Sequence, residues 1–376
     1  LANTASSLGM DKKAYINLME PLKKDWPHIA NNILGPLRFP NAPLALSRFG
    51  LNALRPAINL ANRYFKTKEA RGLWGGMAAH SIMPLSKPIT SAIGLVLMTV
   101  GHIKGWPIPK GGSQQIANAL ASYFVSLGGK IETGTYITSL KQLPSAHSVL
   151  FDLTPRQLLE IAGHKLSDLY RWQLNNYRYG MGVFKIDWAL SEPIPFAAAG
   201  CKQTGTVHLG NTLEEIAATE LQTWQGKHPE RPFVLLAQQS VFDRSRAPEG
   251  KQVAWAYCHV PNGSQVDMSE AIEKQVERFA PGFRDTIMAK HTMNTSDMQG
   301  YNPNYIGGDI NGGAINLAQL FTRPALRFSP YRTSAKGLYI CSSSTPPGGG
   351  VHGMCGYHAA KRALADIFHS KPSVSL

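Results

Sequence analysis

Five glycines crowd into nine residues near the end of the chain: Gly348, Gly349, Gly350, Gly353 and Gly356. Glycine lets backbone come close to a flat or anionic ligand with no Cβ in the way. The stretch lies between a short apolar run, 337–341, and an amphipathic segment marked by Tyr357, Lys361, Leu364 and Phe368. A turn between strand and helix points the first helical N–H groups at whatever covers the turn, and those groups favour negative charge. The pattern suits a pyrophosphate or a reduced ring system. Pro109-Lys110-Gly111-Gly112-Ser113 is a second glycine turn at a helix start, a weaker signal because many helices begin this way.

Other chemical signatures are absent from the sequence. It has no Gly-x-Ser-x-Gly elbow, no Walker-type loop, no His-Glu-x-x-His and no carboxylate pair set in a motif, so no catalytic residue is assigned. The twelve histidines are scattered; His352 and His358 flank the terminal turn and read as capping or structural side chains. Cys201, Cys258, Cys341 and Cys355 are far apart, which argues against a disulfide scaffold and a zinc site and fits a reducing, cytoplasmic compartment. Cys341 and Cys355 read as buried, inert thiols.

The elements that must position the turn can be read from periodicity. Tyr15, Leu18, Met19 and Leu22 form a helical stripe, with Pro21 expected to limit that helix. Segments near 44–65 and 68–80 look similar. The apolar run 89–101 is shorter than the roughly 20 residues of a membrane span and reads as a buried helix. After the turn at 105–113, Ile116, Leu120, Tyr123, Phe124 and Leu127 mark a strong helical stripe, stopped by Gly128-Gly129. Strands are predicted at 130–132 and near 136–140, and a further one at 148–153. Thr154 and Pro155 then make an N-cap and N1 pair for a helix over 156–162.

Farther on, Phe184, Ile186, Trp188 and Leu190 alternate with Lys185, Asp187 and Ala189, the mark of a half-buried strand. Two more strands are predicted at 233–239 and 253–260. Asp267 to Glu270 opens a helix carrying Ile272, Val276 and Phe279. The expectation is a mixed α/β (α+β) chain of about two domains, with an antiparallel sheet covered by helices.

Composition excludes disorder: 43% of the 376 residues are hydrophobic and only 16% charged. The chain carries 38 Lys/Arg against 24 Asp/Glu, and the excess is concentrated in residues 1–110, with 14 basic against 4 acidic. No basic cluster interleaved with aromatics supports a nucleic-acid partner. An anionic membrane surface fits the basic first third better; packing against an acidic segment is the alternative.

Two stretches resemble one family. Gly105-Trp-Pro-Ile-Pro-Lys-Gly-Gly-Ser-Gln-Gln-Ile-Ala-Asn-Ala-Leu, followed by Leu127-Gly-Gly-Lys-Ile-Glu-Thr-Gly-Thr-Tyr-Ile, resembles the middle section of phytoene dehydrogenase-like flavoproteins. Gly337-Leu-Tyr-Ile-Cys-Ser-Ser-Ser-Thr-Pro-Pro-Gly-Gly-Gly-Val-His-Gly-Met-Cys-Gly-Tyr-His-Ala-Ala is similar to their C-terminal flavin motif. The family includes carotenoid desaturases and isomerases and retinol saturase, within the amine-oxidase-like FAD superfamily. Its strand–GxGxxG–helix unit for the FAD pyrophosphate is not in this sequence. The chain is therefore expected to lack about the first hundred or more family residues, and to bind FAD poorly by itself.

The resemblance implies an amine-oxidase-like two-domain flavoprotein, with its first Rossmann βαβ unit missing and FAD as cofactor. Residues 1–107 and 166–300 would form a helical and antiparallel-sheet substrate domain, and 108–165 and 301–376 the FAD-binding sections. It implies that Tyr136 and Ile137 meet the adenine, that Leu153, Thr154 and Pro155 pass near the adenosine or pyrophosphate, and that Ser343, Ser344, Thr345, Gly349, Gly350, Val351, Gly353 and Met354 lie against the ribityl chain and isoalloxazine. It further implies hydride transfer between a C–C or C–N bond of an apolar small molecule and the flavin. A redox-neutral carotenoid isomerase, or a non-catalytic fragment that binds a lipid or a partner, stands as the alternative. Oligomeric state is not legible.

Overall fold

An isolated amphipathic helix has nothing to bury its stripe against, and the first hundred residues solve this by stacking six helices on one another. In the computed structural model, which describes residues 1–367 and 369 (Phe321 by its backbone only), these are α1 Ala2–Ser6, α2 Lys12–Ile33, α3 Pro43–Ala53, α4 Ala57–Tyr64, α5 Lys68–Ala78 and α6 Thr90–Lys104. The stripe of Tyr15, Leu18, Met19 and Leu22 is buried, as is Ile29. Pro21 does not end α2, and Pro27 lies inside it too. Burial of the stripe outweighs the backbone hydrogen bond each proline removes. The apolar run near 89–101 is the buried helix α6, whose Thr90 hydroxyl accepts from the Ala57 N–H at 2.9 Å. Among the described residues, no helix is long and apolar enough to cross a membrane.

Asp11 locks this layer. Its carboxylate, 2% exposed, accepts from the Thr67 N–H and hydroxyl (2.7 Å each) and from the Lys66 N–H (3.0 Å). Burial works against its charge, but the bonds from Thr67 and Lys66 prevail and hold the carboxyl below its ordinary value. The chain is thereby fixed where Thr67 caps α5.

The helix α7, Gln114–Ser126, forms as its periodicity predicts, but its apolar face is not buried. Leu120 is 66% exposed and Leu127 70%. The strands expected at 130–132 and near 136–140 are not there; these residues run without regular structure. A helix satisfies its own N–H and C=O groups, whereas a strand needs a neighbour to take them. None of the strands below pairs with this segment.

The rest of the chain alternates. After β1 Val149–Phe151 come α8 Pro155–Ala162, α9 Asp168–Asn175, β2 Gly182–Leu190, β3 Thr206–Leu209, α10 Leu213–Trp224, β4 Val234–Ala237 and β5 Gln252–Val260. Then follow α11 Ser269–Phe279, β6 Ile287–Met293, α12 Thr295–Tyr301, α13 Leu317–Thr322, β7 Leu338–Ile340 and α14 Met354–Ile367. Five strands form an antiparallel sheet in the order β3-β4-β5-β2-β6. One face packs Phe184, Ile186 and Trp188 against Ile272 and Val276 of α11; α5 and α10 approach from the other side. β1 and β7 form a separate parallel pair, Val149 opposite Leu338. The edge strand β6 gives no apolar alternation to read, since most of its residues are exposed.

Replacing Asp11 with alanine takes the acceptor from the part-buried N–H bonds of Lys66 and Thr67. Asp11→Ala should cost about 1–3 kcal/mol in equilibrium denaturation; an unchanged midpoint and slope would show the carboxylate to be incidental.

Candidate functional site

The parallel pair β1–β7 brings two distant parts of the sequence side by side, and the site grows from their C-terminal ends. The Cys341 N–H donates to Phe151 O at 2.8 Å, and the Ser342 hydroxyl donates to Leu153 O at 2.7 Å. Just beyond Leu153, Thr154 opens α8 with a capping box. Its N–H and hydroxyl both donate to Oε1 of Gln157, at 3.0 and 2.5 Å, with Pro155 at the first helical position. The two groups of residues that the resemblance placed along one cofactor, 153–155 and 343–354, thus adjoin in space.

Within the second group the roles separate. Ser344 and Thr345 are fully buried, with their hydroxyls donating to Gly312 O and Ser342 O at 2.7 Å. Thr154 is buried as well, and its hydroxyl accepts from Tyr179 at 3.2 Å. These three hold the backbone in place rather than presenting a free hydroxyl. Ser343 is half-buried and gives its carbonyl to Arg323. The open surface belongs to Gly350, Val351 and Gly353, with Val351 93% exposed, Gly349 half-buried beside Asn311 and Met354 buried at the start of α14. Gly350 (φ +144°) and Gly353 (φ +63°) need conformations that a side chain resists. His352 caps α14 by accepting from the Met354 N–H at 3.0 Å, and His358 lies 3.0 Å from Leu34 O, both structural roles. Burial pushes the Cys341 thiol up to about 12, and Cys355 is raised too, in keeping with inert thiols.

Tyr136 and Ile137 lie in the irregular stretch after α7. Tyr136 is 73% exposed, and the backbone after it folds onto its own Gln142 side chain, which accepts from the Thr138 and Ser139 N–H groups.

What holds the turn is a group with no sequence signal. Arg323 is 2% exposed. Its guanidinium donates to Ser343 O (2.9 Å), to the Tyr177 hydroxyl (3.0 Å), and at longer range to Ser344 O (3.4 Å) and Gly312 O (3.5 Å). Tyr177 in turn donates to Gly312 O at 2.8 Å. Asp309 anchors the neighbouring loop by accepting from the N–H groups of Gly180 (2.7 Å), Asn311 (2.8 Å) and Gly313 (3.0 Å). Burial pushes its carboxyl above the ordinary range, against the pull of those N–H groups and of Arg323. A Cβ on Gly313 would collide with the Tyr177 hydroxyl, so backbone and ring meet there only because that residue is glycine.

Tyr177 also lines a cleft of about 1100 Å³. Trp172, Leu317, Leu326 and Trp224 give it apolar walls, with Gln173, Asn176 and Asn262 among its polar groups. Tyr177 therefore belongs both to the cleft and to the network that shapes the glycine turn.

A second buried cluster, also unread in the sequence, lies on the sheet face toward α5 and α10. His259 Nδ1 is 2.8–2.9 Å from both oxygens of Glu220, and His80 Nε2 is 2.9 Å from His208 Nε2. Burial holds His208 down at about 4 and His80, with His208 and His259 adding repulsion, at about 3, so both rings are neutral near pH 7. Among the described residues, no group of three or more His, Cys, Asp or Glu could hold a metal ion.

Comparison with known proteins places this arrangement. No family model matches the chain. Mouse pyridine nucleotide-disulfide oxidoreductase domain-containing protein 2 is 25% identical over 351 residues, 80% of this chain and 59% of its own length. A lycopene-forming phytoene desaturase from Paracoccus is 20% identical over 77% of this chain and 61% of its own. A 4,4'-diapolycopen-4-al dehydrogenase from Metabacillus indicus is 30% identical over 131 residues, 33% of this chain and 26% of its own length. The chain spans about three fifths of the length of the first of these curated relatives. Among solved structures, putrescine oxidase with putrescine bound superposes with a TM-score of 0.60 at 13% identity, over 96% of this chain and 76% of its own. An oxidoreductase from Methanosarcina mazei gives 0.56 at 15%, over 81% and 66%. The fold is amine-oxidase-like, and the relatives bear out the resemblance to the phytoene dehydrogenase-like oxidoreductases.

Arg323→Met removes the donor that Ser343 O, Ser344 O and Tyr177 share. It should destabilise the protein by roughly 1–3 kcal/mol and make the turn after Ser342 the first site cut by limited proteolysis. A wild-type cleavage pattern would refute its role as the organiser of the turn.

Proposed function

We propose that this protein is an FAD-dependent oxidoreductase that moves hydride between a C–C or C–N bond of an apolar substrate and the flavin. One observation carries the reading: Tyr177 lines the 1100 Å³ cleft while its hydroxyl donates to Gly312 O and accepts from Arg323, which also holds the Ser343 and Ser344 carbonyls that lead into the glycine turn. A substrate that enters the cleft and reaches past Tyr177 would then touch a cofactor lying on the turn, the contact that hydride transfer needs. The names of the relatives, a desaturase and two oxidoreductase-type proteins, support the same class.

The residues present fit a flavin. Gly350 and Gly353 leave an open, Cβ-free lip, and Val351 stands clear of the surface beside it. Bound there, FAD would supply the hydride acceptor or donor. The protein's own part is to position and to exclude water. The 14-residue α14 starts at Met354, directly behind the lip, and its N-terminal N–H groups would stabilise negative charge on a ring edge. The Ser344 and Thr345 hydroxyls, bonded to Gly312 O and Ser342 O, keep the lip from collapsing. The aromatic walls Trp172 and Trp224 would desolvate an apolar chain and set its path past Tyr177.

Gly350→Val tests the lip. The variant should keep its fold by circular dichroism yet lose about 1–3 kcal/mol of flavin affinity, because a β-branched side chain strains φ +144°. The measurement is flavin retained by the purified full-length protein, read from its visible spectrum. Full occupancy in the variant would contradict a flavin on this turn.

A further inference from the structure

Residues 26–68 contain six Lys/Arg and not one Asp or Glu. The structure turns this bias into a surface. In the connection before α3, Leu37 is 70% exposed and Phe39 96%, with the exposed Arg38 between them. On α3, Leu44 (81%) and Leu51 (69%) lie on the same stripe as Arg48, at i, i+7 and i+4, and the half-buried Arg55 follows just past the helix end. Leu54 is half exposed at the helix end. Water-facing leucines and a phenylalanine alternating with arginines are poor design for a solvated face. They are what a helix needs to lie in a lipid interface, apolar side chains in the acyl boundary and cations at the headgroups. One acid bears on this face: Asp25 pairs with Arg48 at 2.7 Å.

The surface leads to the cleft. The Ile89 and Ser91 N–H groups donate to Leu54 O (3.1 Å) and Arg55 O (3.3 Å), and Ile58 N–H donates to Leu85 O at 3.2 Å. These bonds fasten the end of α3 and the start of α4 to the connection 82–89, and Met83 and Lys87 of that connection line the cleft. Lys87 is exposed and adds a further cation beside the Arg55 end of the stripe.

We propose that the exposed face of residues 37–55 seats on an anionic phospholipid bilayer and turns the mouth of the cleft toward it, so that an apolar substrate passes from lipid to cleft without crossing water. The substrate part rests on the functional reading above; the lipid surface does not.

Co-sedimentation of the full-length protein with phosphatidylcholine vesicles, with and without phosphatidylserine, at low and high salt, tests it. Flavin occupancy of the same sample, read separately, shows whether the cofactor reading fails by itself. Binding should require phosphatidylserine and fall at high salt. Phe39→Glu/Leu44→Glu, substituted at exposed positions and checked for an unchanged melt, should bind at least about tenfold more weakly. Leu120→Glu/Leu127→Glu on the exposed face of α7 should bind like wild type. Absence of binding, binding indifferent to lipid charge, or a loss confined to the α7 variant would each overturn the proposal.

Discussion

A guanidinium cannot leave water unless oxygen atoms replace its hydration shell. Arg323 has done so with 2% exposure, and much of the candidate site follows from where those oxygens come from. Ser343 O and Ser344 O belong to the turn after β7, Gly312 O to the loop anchored by Asp309, and the Tyr177 hydroxyl to the connection leading into β2. Three pieces of chain far apart in sequence are thus held within one hydrogen-bond radius. The glycines beside them are a consequence: backbone drawn this close to Tyr177 and Arg323 leaves no room for a Cβ at Gly313.

The same principle explains the part of the molecule that is under-built. In the segment 106–148, backbone groups that a helix can satisfy internally are ordered into α7, while the stretch beyond Gly129, which alternates enough to suggest strands, stays irregular. Polar bonds tie it to the sheet side, where the Gly111 N–H donates to Asp243 at 2.6 Å and Arg246 donates to Gly111 O at 2.5 Å. Apolar burial here resumes with Leu140, half-buried against the small core in which Phe151 joins Leu158 and Ile340.

Legibility from sequence follows locality. The capping box at Thr154, the stripe of α2 and the alternation of β2 depend on residues within a turn or two of each other, and all three formed. Pro21 misled because a penalty of one hydrogen bond was weighed without the tertiary burial that offsets it. The glycine turn could be found because glycine is read directly. Arg323 could not: its role lies in carbonyl groups about 11 and 20 residues away, and carbonyls have no sequence signature. The histidine and glutamate cluster was hidden for the same reason, since His80, His208, Glu220 and His259 come from four separate elements.

If the cleft leads past Tyr177 to the turn, filling it must be felt by a flavin on the turn. The direct measurement is a visible difference spectrum of the flavin-loaded, full-length protein during titration with a colourless long-chain apolar ligand. That contact predicts a saturable perturbation of the flavin band, because the ligand displaces water next to the ring, and predicts that filling the cleft with a tryptophan at Ala318, one of its lining residues, abolishes it. A spectrum that stays additive while the ligand binds with a measurable affinity would contradict the account.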